Sequence, residues 1–210
     1  HAIGQVAHFD HERSIDQYRF LYAINGILPP TVRVLGYGET NSDFHAQYSA
    51  KKKTYWYDFH LASYHLPWTH GRRLRVPALR MNLIWNACEK LMGTHDFIAF
   101  RNSNNNNRQR ERDTVRTLFK INLKSIPGGC RIAIEGDGFL YKMVRNLVGA
   151  LLAINEGKMQ SKDIEEMLST GKRTFQFLTA PAKGLYLRSV TYSPNLEWDG
   201  IEQYNLDSWI

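Results

Sequence analysis

The segment that most constrains the fold runs from residue 139 to residue 155. It has the length of a helix and is nearly all apolar, and its polar exceptions are Lys142, Arg145, Asn146 and Asn155. A helix that is apolar on all sides has to be buried inside a larger core. The rest of the chain is therefore expected to supply the elements that cover this helix.

The patterns on either side of this segment predict both helices and strands. Helical spacing occurs over residues 14–26, 77–92 and 161–171, where Ser14 and Ser161 are the predicted N-caps. Strands are predicted over residues 3–9, 32–37, 44–61, 115–123, 130–135 and 185–192. This mixed order predicts an α+β fold, in which a mixed or antiparallel sheet carries helices on one face.

The composition excludes several classes of protein. No run of residues approaches the roughly 20 apolar residues that cross a bilayer, and the first residues lack the pattern of a signal peptide. We therefore expect a folded cytoplasmic protein. Cys88 and Cys130 have no zinc-ligand spacing and are expected to be buried thiols. His60, His65 and His70 recur every five residues, which fits neither a helix face nor a strand face, and we expect no metal site there.

The net charge of +7 and the pI near 9.4 indicate a polyanionic partner. The basic residues form three groups in the sequence: Lys51, Lys52 and Lys53; Arg72, Arg73 and Arg75; and Arg108, Arg110, Arg112 and Arg116. Aromatic residues lie within or beside the first two groups, namely Tyr48, Tyr55, Trp56, Tyr57 and Trp68. This combination favours contact with phosphates together with base stacking. The alternative is a basic surface that contacts only solvent.

Two features of the sequence are candidates for a functional site. Arg145 stands in a helix whose other residues demand burial, and a buried guanidinium needs an anionic partner. That partner is either a structural carboxylate or a carboxylate or phosphate in a cleft. On a strand, Tyr55 and Tyr57 share one face and Trp56 lies on the other, so one side can be core and the other a stacking surface.

Five stretches of the sequence carry a resemblance to a known family. They are residues 4–9 (GQVAHF), 43–57 (DFHAQYSA followed by KTYWY), 95–100 (HDFIAF), 143–149 (MVRNLVG) and 180–187 (APAKGLYL). In that order and spacing, over residues 1 to about 192, they resemble the TruA-type tRNA pseudouridine synthases.

The resemblance implies a pseudouridine synthase fold, in which two similar halves leave a basic cleft between them. It also implies a homodimer that binds tRNA and converts uridine to pseudouridine in the anticodon stem-loop, at positions 38 to 40. The reaction needs no cofactor or metal. An aspartate attacks the flipped-out nucleotide, the glycosidic bond breaks, the uracil turns, and a carbon-carbon bond forms at C5.

The same resemblance implies roles for individual residues. Tyr55 is expected to stack on the target base and to accept the C5 proton, Arg145 to pair with the catalytic aspartate, and Leu185 to pack in the pocket wall. Further tRNA contacts are expected from the basic groups, through Lys51, Lys52, Lys53, Arg72, Arg73, Arg108 and Arg110. The family halves would divide the chain into residues 1–43 (the remainder of the N-terminal half), 44–192 (the C-terminal half with the RNA-binding cleft) and 193–210 (a tail).

The sequence departs from the family pattern in two places. Gln47 stands where the family usually has an arginine. The family aspartate lies in Arg-Thr-Asp-x-Gly-Val-His-Ala, of which this sequence holds only His1 and Ala2. We therefore expect the nucleophile upstream of His1 and these 210 residues to be inactive alone, since Asp10 is better explained as a turn residue. The rival interpretations are a non-catalytic RNA-binding protein on the same fold and a basic structural domain.

Overall fold

A computed structural model of the chain describes residues 1–102, 113–194, 196 and 199–200. By the density of internal contacts the chain separates into two compact units. The first contains His1–Gln5 and Lys51–Val190, and the second contains Val6–Ala50 and the chain from Thr191 onward. The division into family halves given above remains a prediction.

The first unit is built on a six-stranded mixed sheet. Its strands are β2 (Lys52–Leu61), β3 (Leu74–Val76), β4 (Gly93–Asp96), β5 (Val115–Ile126), β6 (Gly129–Gly136) and β7 (Leu185–Thr191). Strand β1 (Gly36–Tyr37) belongs to the second unit. The order along the sheet is β3-β2-β6-β5-β4, and β7 also pairs with β2. The β2–β3 pair is parallel, whereas β2–β6, β5–β6 and β4–β5 are antiparallel.

The hairpin formed by β5 and β6 follows from local sequence. Residue 128 has a φ of +67°, which glycine adopts without the steric cost that a side chain would bring. The two strands flanking this turn pair from Ile126 opposite Gly129 outward. The strands predicted over residues 115–123 and 130–135 are therefore confirmed, and they pair as a hairpin.

Three helices complete the first unit: α2 (Met81–Leu91), α3 (Met143–Asn155) and α4 (Ser161–Thr170). Helix α1 (Gln17–Ile27) belongs to the second unit. Alternate residues of β2, among them Tyr57 and Phe59, are buried in one apolar core with the inner faces of these helices. The predicted α+β class with helices on one sheet face is confirmed, and α3 is the buried helix that its composition demanded.

The start of α3 differs from the sequence prediction. The helix begins at Met143 and not at residue 139, because Lys142 has a left-handed backbone with φ +59° and ψ +11°. The preceding residues form a turn in which the Met143 amide donates to the Leu140 carbonyl at 3.0 Å. In α4 the N-cap is Gln160, whose capping box with Asp163 replaces the predicted Ser161 cap.

The opposite face of the sheet contains a buried ion pair. Arg131 on β6 donates from Nε and Nη2 to the two carboxylate oxygens of Asp58 on β2, at 2.7 and 2.8 Å. Both side chains are almost fully buried. The Arg131 guanidinium also lies 3.7 Å from the centre of the Trp56 ring. This side of β2 therefore holds a bidentate ion pair that is stacked on an aromatic ring.

The second unit contains α1 (Gln17–Ile27), β1 (Gly36–Tyr37) and β8 (Asp199–Gly200), and the two short strands pair antiparallel. The N-cap of α1 is Asp16, which accepts a hydrogen bond from the Arg19 amide at 3.0 Å, so the predicted Ser14 cap is wrong. The rings of Phe44 and Tyr192 pack with their centroids 5.0 Å apart, and the Tyr192 hydroxyl donates a hydrogen bond to the Ala46 carbonyl.

Among the predicted strands, one does not form and two are shorter than their sequence patterns. Residues 3–9 form no strand, and their neighbour Ala2 makes a single parallel bridge to Leu187. The strand expected over 32–37 is reduced to β1. The strand expected over 44–61 begins only at Lys52, because Ser49 and His45 bond to each other and close a turn before it. Among the described residues, none of the helices is long and apolar enough to span a membrane.

Candidate functional site

Tyr55 lies near the middle of β2, on the same sheet face as Tyr57 and Phe59. Its side chain is half-buried against the core, and its ring meets the Phe139 ring edge-on, with centroids 5.0 Å apart and planes at 82°. Burial raises the pKa of the Tyr55 hydroxyl above its ordinary value of 10.0. The group is therefore a neutral phenol at physiological pH, which can donate one hydrogen bond and accept others through its lone pairs.

Arg145 lies in the first turn of α3 and is half-buried, so it is less buried than its apolar neighbours suggested. Its Nε donates to the Ala180 carbonyl at 2.6 Å, and the Ala180 amide donates to the Arg145 carbonyl at 3.0 Å. Within the described part of the chain, its terminal nitrogens donate to no residue and no carboxylate forms an ion pair with it. The backbone contact thus fixes the guanidinium while leaving the pair of terminal N–H groups to bind an anion.

Tyr57 binds the backbone carbonyl that follows the one bound by Arg145. Its hydroxyl donates to the Pro181 carbonyl at 2.8 Å. Burial raises the pKa of Tyr57 strongly, and the positive charge of Arg145 lowers it by a smaller amount. The two residues therefore lie close together, and each is anchored on one of two consecutive carbonyls, those of Ala180 and Pro181. From sequence, Tyr57 stands out only as an aromatic residue beside the first basic group that shares a face with Tyr55.

Asn146 fixes the segment that carries these carbonyls. It is completely buried in α3, where its Nδ2 donates to the Phe100 carbonyl at 2.6 Å and to Asn102 Oδ1 at 2.7 Å. Its Oδ1 accepts from the Thr179 hydroxyl at 2.7 Å. A polar residue beside Arg145 in an otherwise apolar helix was the sequence signal for this network, and its partners could not be identified from the sequence.

Close backbone packing brings the same segment against α3. A Cβ placed on Gly149 would lie only 2.1 Å from the Leu178 carbonyl oxygen, a distance that no side chain tolerates. Residues 178–181 therefore run along α3 past Gly149, Asn146 and Arg145 in turn. The helix and this segment together hold the Arg145 side chain in one place.

Leu185 is the first residue of β7 and follows a short 3₁₀ turn, Ala182–Gly184. Its side chain is half-buried and packs against the same core as Tyr55. A Cβ on Gly184 would lie 2.7 Å from the Tyr57 ring. The structure thus brings together Tyr57, Arg145 and the chain that leads into Leu185.

The predicted tRNA-contacting residues differ in their surroundings. Lys51 is exposed, and Lys53 is half-buried on the same face of β2 as Tyr55, where burial lowers the pKa of its ammonium group. Lys52 points to the other face and pairs with Glu135 at 3.2 Å. Arg72 is exposed, and Arg73 donates to the Pro127 carbonyl at 2.7 Å. Arg108, Arg110 and Arg112 lie outside the described residues.

Comparison with known proteins gives a consistent result. A family model described as tRNA pseudouridine synthase matches residues 87–193. Over 198 residues the chain is 37% identical to tRNA pseudouridine synthase A 1 of Protochlamydia amoebophila, covering 91% of this chain and 75% of the relative.

Two further relatives extend the match. The tRNA pseudouridine synthase A of Acetivibrio thermocellus is 37% identical over 193 residues, covering 91% of this chain and 78% of the relative. The enzyme of the same name from Chlamydia trachomatis serovar L2b is 35% identical over 213 residues, covering 99% of this chain and 78% of the relative. The family expected from the five sequence stretches is confirmed.

Proposed function

The chain belongs to the tRNA pseudouridine synthase A family, an isomerase family, and from that premise we propose that it acts on uridines of the tRNA anticodon stem-loop at positions 38 to 40. The observation that carries the proposal is the arrangement around residues 180–181. There Arg145, whose terminal N–H groups are free among the described residues, and Tyr57 are held on two consecutive carbonyls, and Tyr55 lies on the same face of β2 as Tyr57. An anionic nucleophile and a flat base are the partners that such a set of groups fits.

In this mechanism Arg145 orients the nucleophilic aspartate and keeps it ionised, because a guanidinium stabilises a carboxylate through two parallel hydrogen bonds. Tyr55 stacks on the extruded uracil. Its hydroxyl receives the proton that leaves C5 once the carbon-carbon bond has formed. As the phenol is neutral, it accepts this proton while passing its own to solvent or to the nucleobase. Leu185 closes the apolar wall of the pocket, and the reaction requires no cofactor.

The nucleophile is proposed to be an aspartate upstream of His1. The aspartates of the first unit that the structure describes have other partners. Asp58 binds Arg131, and the remaining four accept backbone or capping hydrogen bonds: Asp96 from Ile98, Asp113 from Val115, Asp137 from Thr117, and Asp163 from Gln160. Each of these carboxylates already has a structural partner, so none of them is proposed as the nucleophile. The homodimer stays a prediction of the resemblance, and the cytoplasmic location stays a prediction from the composition.

Tritium release from tRNA labelled at uridine C5 tests the site and the nucleophile together. A version of the protein extended upstream to include the aspartate should release tritium from a tRNA with uridine at position 39. It should release none when cytidine replaces the uridines at positions 38 to 40. The 210-residue chain should bind the same tRNA and release nothing.

Each outcome of this assay discriminates between interpretations. Release by the 210-residue chain alone would place the nucleophile within it. Release that persists after replacement of positions 38 to 40 would move the target elsewhere in the tRNA. Binding without release by either version would favour the rival function, a non-catalytic RNA-binding protein on the same fold.

The two neighbouring lysines of β2 provide a matched pair for testing phosphate contact. Lys53 shares a face with Tyr55, whereas Lys52 lies on the other face and is paired with Glu135. Binding through phosphates releases counterions, so each lost contact lowers the slope of log affinity against log salt by about 1. Lys53→Gln is expected to lower the slope by about this amount between about 50 and 200 mM salt, and Lys52→Gln by much less. Equal slopes for both variants and the unmodified chain would remove Lys53 from the interface.

A further inference from the structure

The end of β2 carries an unusual buried side chain. His60 is only 3% exposed, yet neither of its ring nitrogens has a hydrogen-bond partner among the described residues. The Nδ1 atom of His65, in the loop that follows, is also buried without a partner. Buried polar atoms are almost always hydrogen-bonded, and an exception indicates a water, an ion or a ligand group at that position.

Among the described residues, the groups whose charge acts on the pKa of His65 are basic. They come from several elements: His60 from β2, His70 from the same loop, Arg75 from β3 and Lys183 from the 3₁₀ turn before β7. The rings of His65 and His70 meet edge-on with centroids 5.0 Å apart. Arg75 Nη1 also donates to the Ser63 carbonyl at 3.1 Å, which holds the start of the loop against β3. Such a set of donors repels a cation and fits an oxyanion.

The same loop exposes two large aromatic rings. Tyr64 and Trp68 are 68% and 71% exposed, on either side of His65 in the sequence. Aromatic rings held in solvent next to clustered cations are typical of surfaces that bind single-stranded nucleic acid, where rings stack on bases and cations contact phosphates. This pairing favours RNA over a free inorganic anion as the occupant.

We propose that residues 60–75, together with Lys183, form an RNA-docking site. In it His65, His70, Arg75 and Lys183 bind one phosphate diester of the RNA backbone, and Tyr64 and Trp68 stack on neighbouring bases. The site rests on the proposed function only in that RNA is the substrate. It is separate from the catalytic groups Tyr55 and Arg145.

Binding at this site should depend on pH. In the free protein, burial and then the neighbouring cations lower the pKa of His65. A bound phosphate favours the protonated ring, so binding takes up a proton and strengthens as pH falls through the imidazole range near 6.5. We expect tRNA affinity to be about fivefold or more higher at pH 6 than at pH 8.

The test uses the 210-residue chain, with inorganic sulfate and tRNA as separate probes. Sulfate serves as the oxyanion because its charge is constant between pH 6 and 8. The C2 protons of the histidine rings are followed by NMR during each titration, and tRNA affinity is measured by fluorescence anisotropy at both pH values. The double variant His65→Gln/His70→Gln should lose the pH dependence, and Lys183→Gln should weaken binding at both pH values. The matched controls, His11→Gln and Lys162→Gln at exposed positions, should behave as the unmodified chain.

Both probes should shift the signals of His65 and His70. If sulfate shifts them and tRNA does not, the site holds a free oxyanion and the RNA assignment is overturned. If neither probe shifts them, or if the double variant retains the full pH dependence, the docking site is overturned. Tritium release by the upstream-extended protein at pH 8 is measured in parallel. It separates this result from a failure of the catalytic proposal, since loss of docking leaves Tyr55 and Arg145 intact.

Discussion

Tyr55→Phe is expected to lower the single-turnover rate of pseudouridine formation by about two to four orders of magnitude, the usual scale for a general acid-base group. The measurement uses the upstream-extended protein at saturating enzyme concentration, because defects in binding then cancel. The phenylalanine ring keeps its edge-on contact with Phe139 and its stacking surface. Affinity for tRNA should therefore stay nearly unchanged, and only the hydroxyl is removed.

The raised pKa of Tyr55 also predicts how the rate depends on pH. Because burial keeps the phenol protonated beyond its ordinary range, its ionisation contributes no rise in rate between about pH 7 and 9. Tyr18→Phe, at a tyrosine that is 86% exposed on α1, is the control and should leave the rate unchanged. Equal rates for Tyr55→Phe and the unmodified protein would leave Tyr55 as a stacking residue with no part in proton transfer.

The parts of the fold that could be predicted from sequence are those set by local pattern. The β5–β6 hairpin forms between strands separated only by a short glycine-containing turn, and α3 is identified by its apolar length. The start of α3 was predicted too early, because nothing in the composition of residues 139–142 shows that Lys142 takes a left-handed backbone. Sequence patterns locate elements more reliably than their ends.

The parts that could not be predicted depend on contacts between distant residues. The sequence pattern predicts no strand at residues 74–76, yet they pair in parallel with β2 as β3. Asn146 reaches Phe100 and Thr179, which lie 46 and 33 residues away along the chain. No periodicity encodes such pairings, since they result from how the elements pack.

The candidate site shows the same division. The residue pattern makes Tyr55 and Arg145 candidates, and the resemblance implies their roles. The burial expected around Arg145 came from the apolar residues beside it. In the structure that side chain leans out of the helix to the Ala180 carbonyl and is only half-buried. Helical position alone cannot give this, because a long side chain can carry its charged head away from an apolar surface.

Loss of one partner of the ion pair on the opposite sheet face should strongly destabilise the protein. Asp58→Ala leaves the Arg131 guanidinium, which is 4% exposed, without its carboxylate. Removing one partner of a buried ion pair typically costs about 3 to 5 kcal/mol in the free energy of unfolding, because the remaining charge is still desolvated. The free energy of unfolding is measured by urea denaturation of the 210-residue chain, with the m-value checked for constancy.

Glu165→Ala is the matched control for this measurement. Glu165 pairs with Lys90 at 2.8 Å, but both side chains are about half exposed, so solvent screens the interaction. Its loss should change the free energy of unfolding by less than about 1 kcal/mol. If the two variants are destabilised to the same small extent, Arg131 is held by its stacking on Trp56 and its other contacts, and the bidentate pair adds little. A large loss confined to Asp58→Ala identifies the carboxylate as the group that makes burial of this arginine possible.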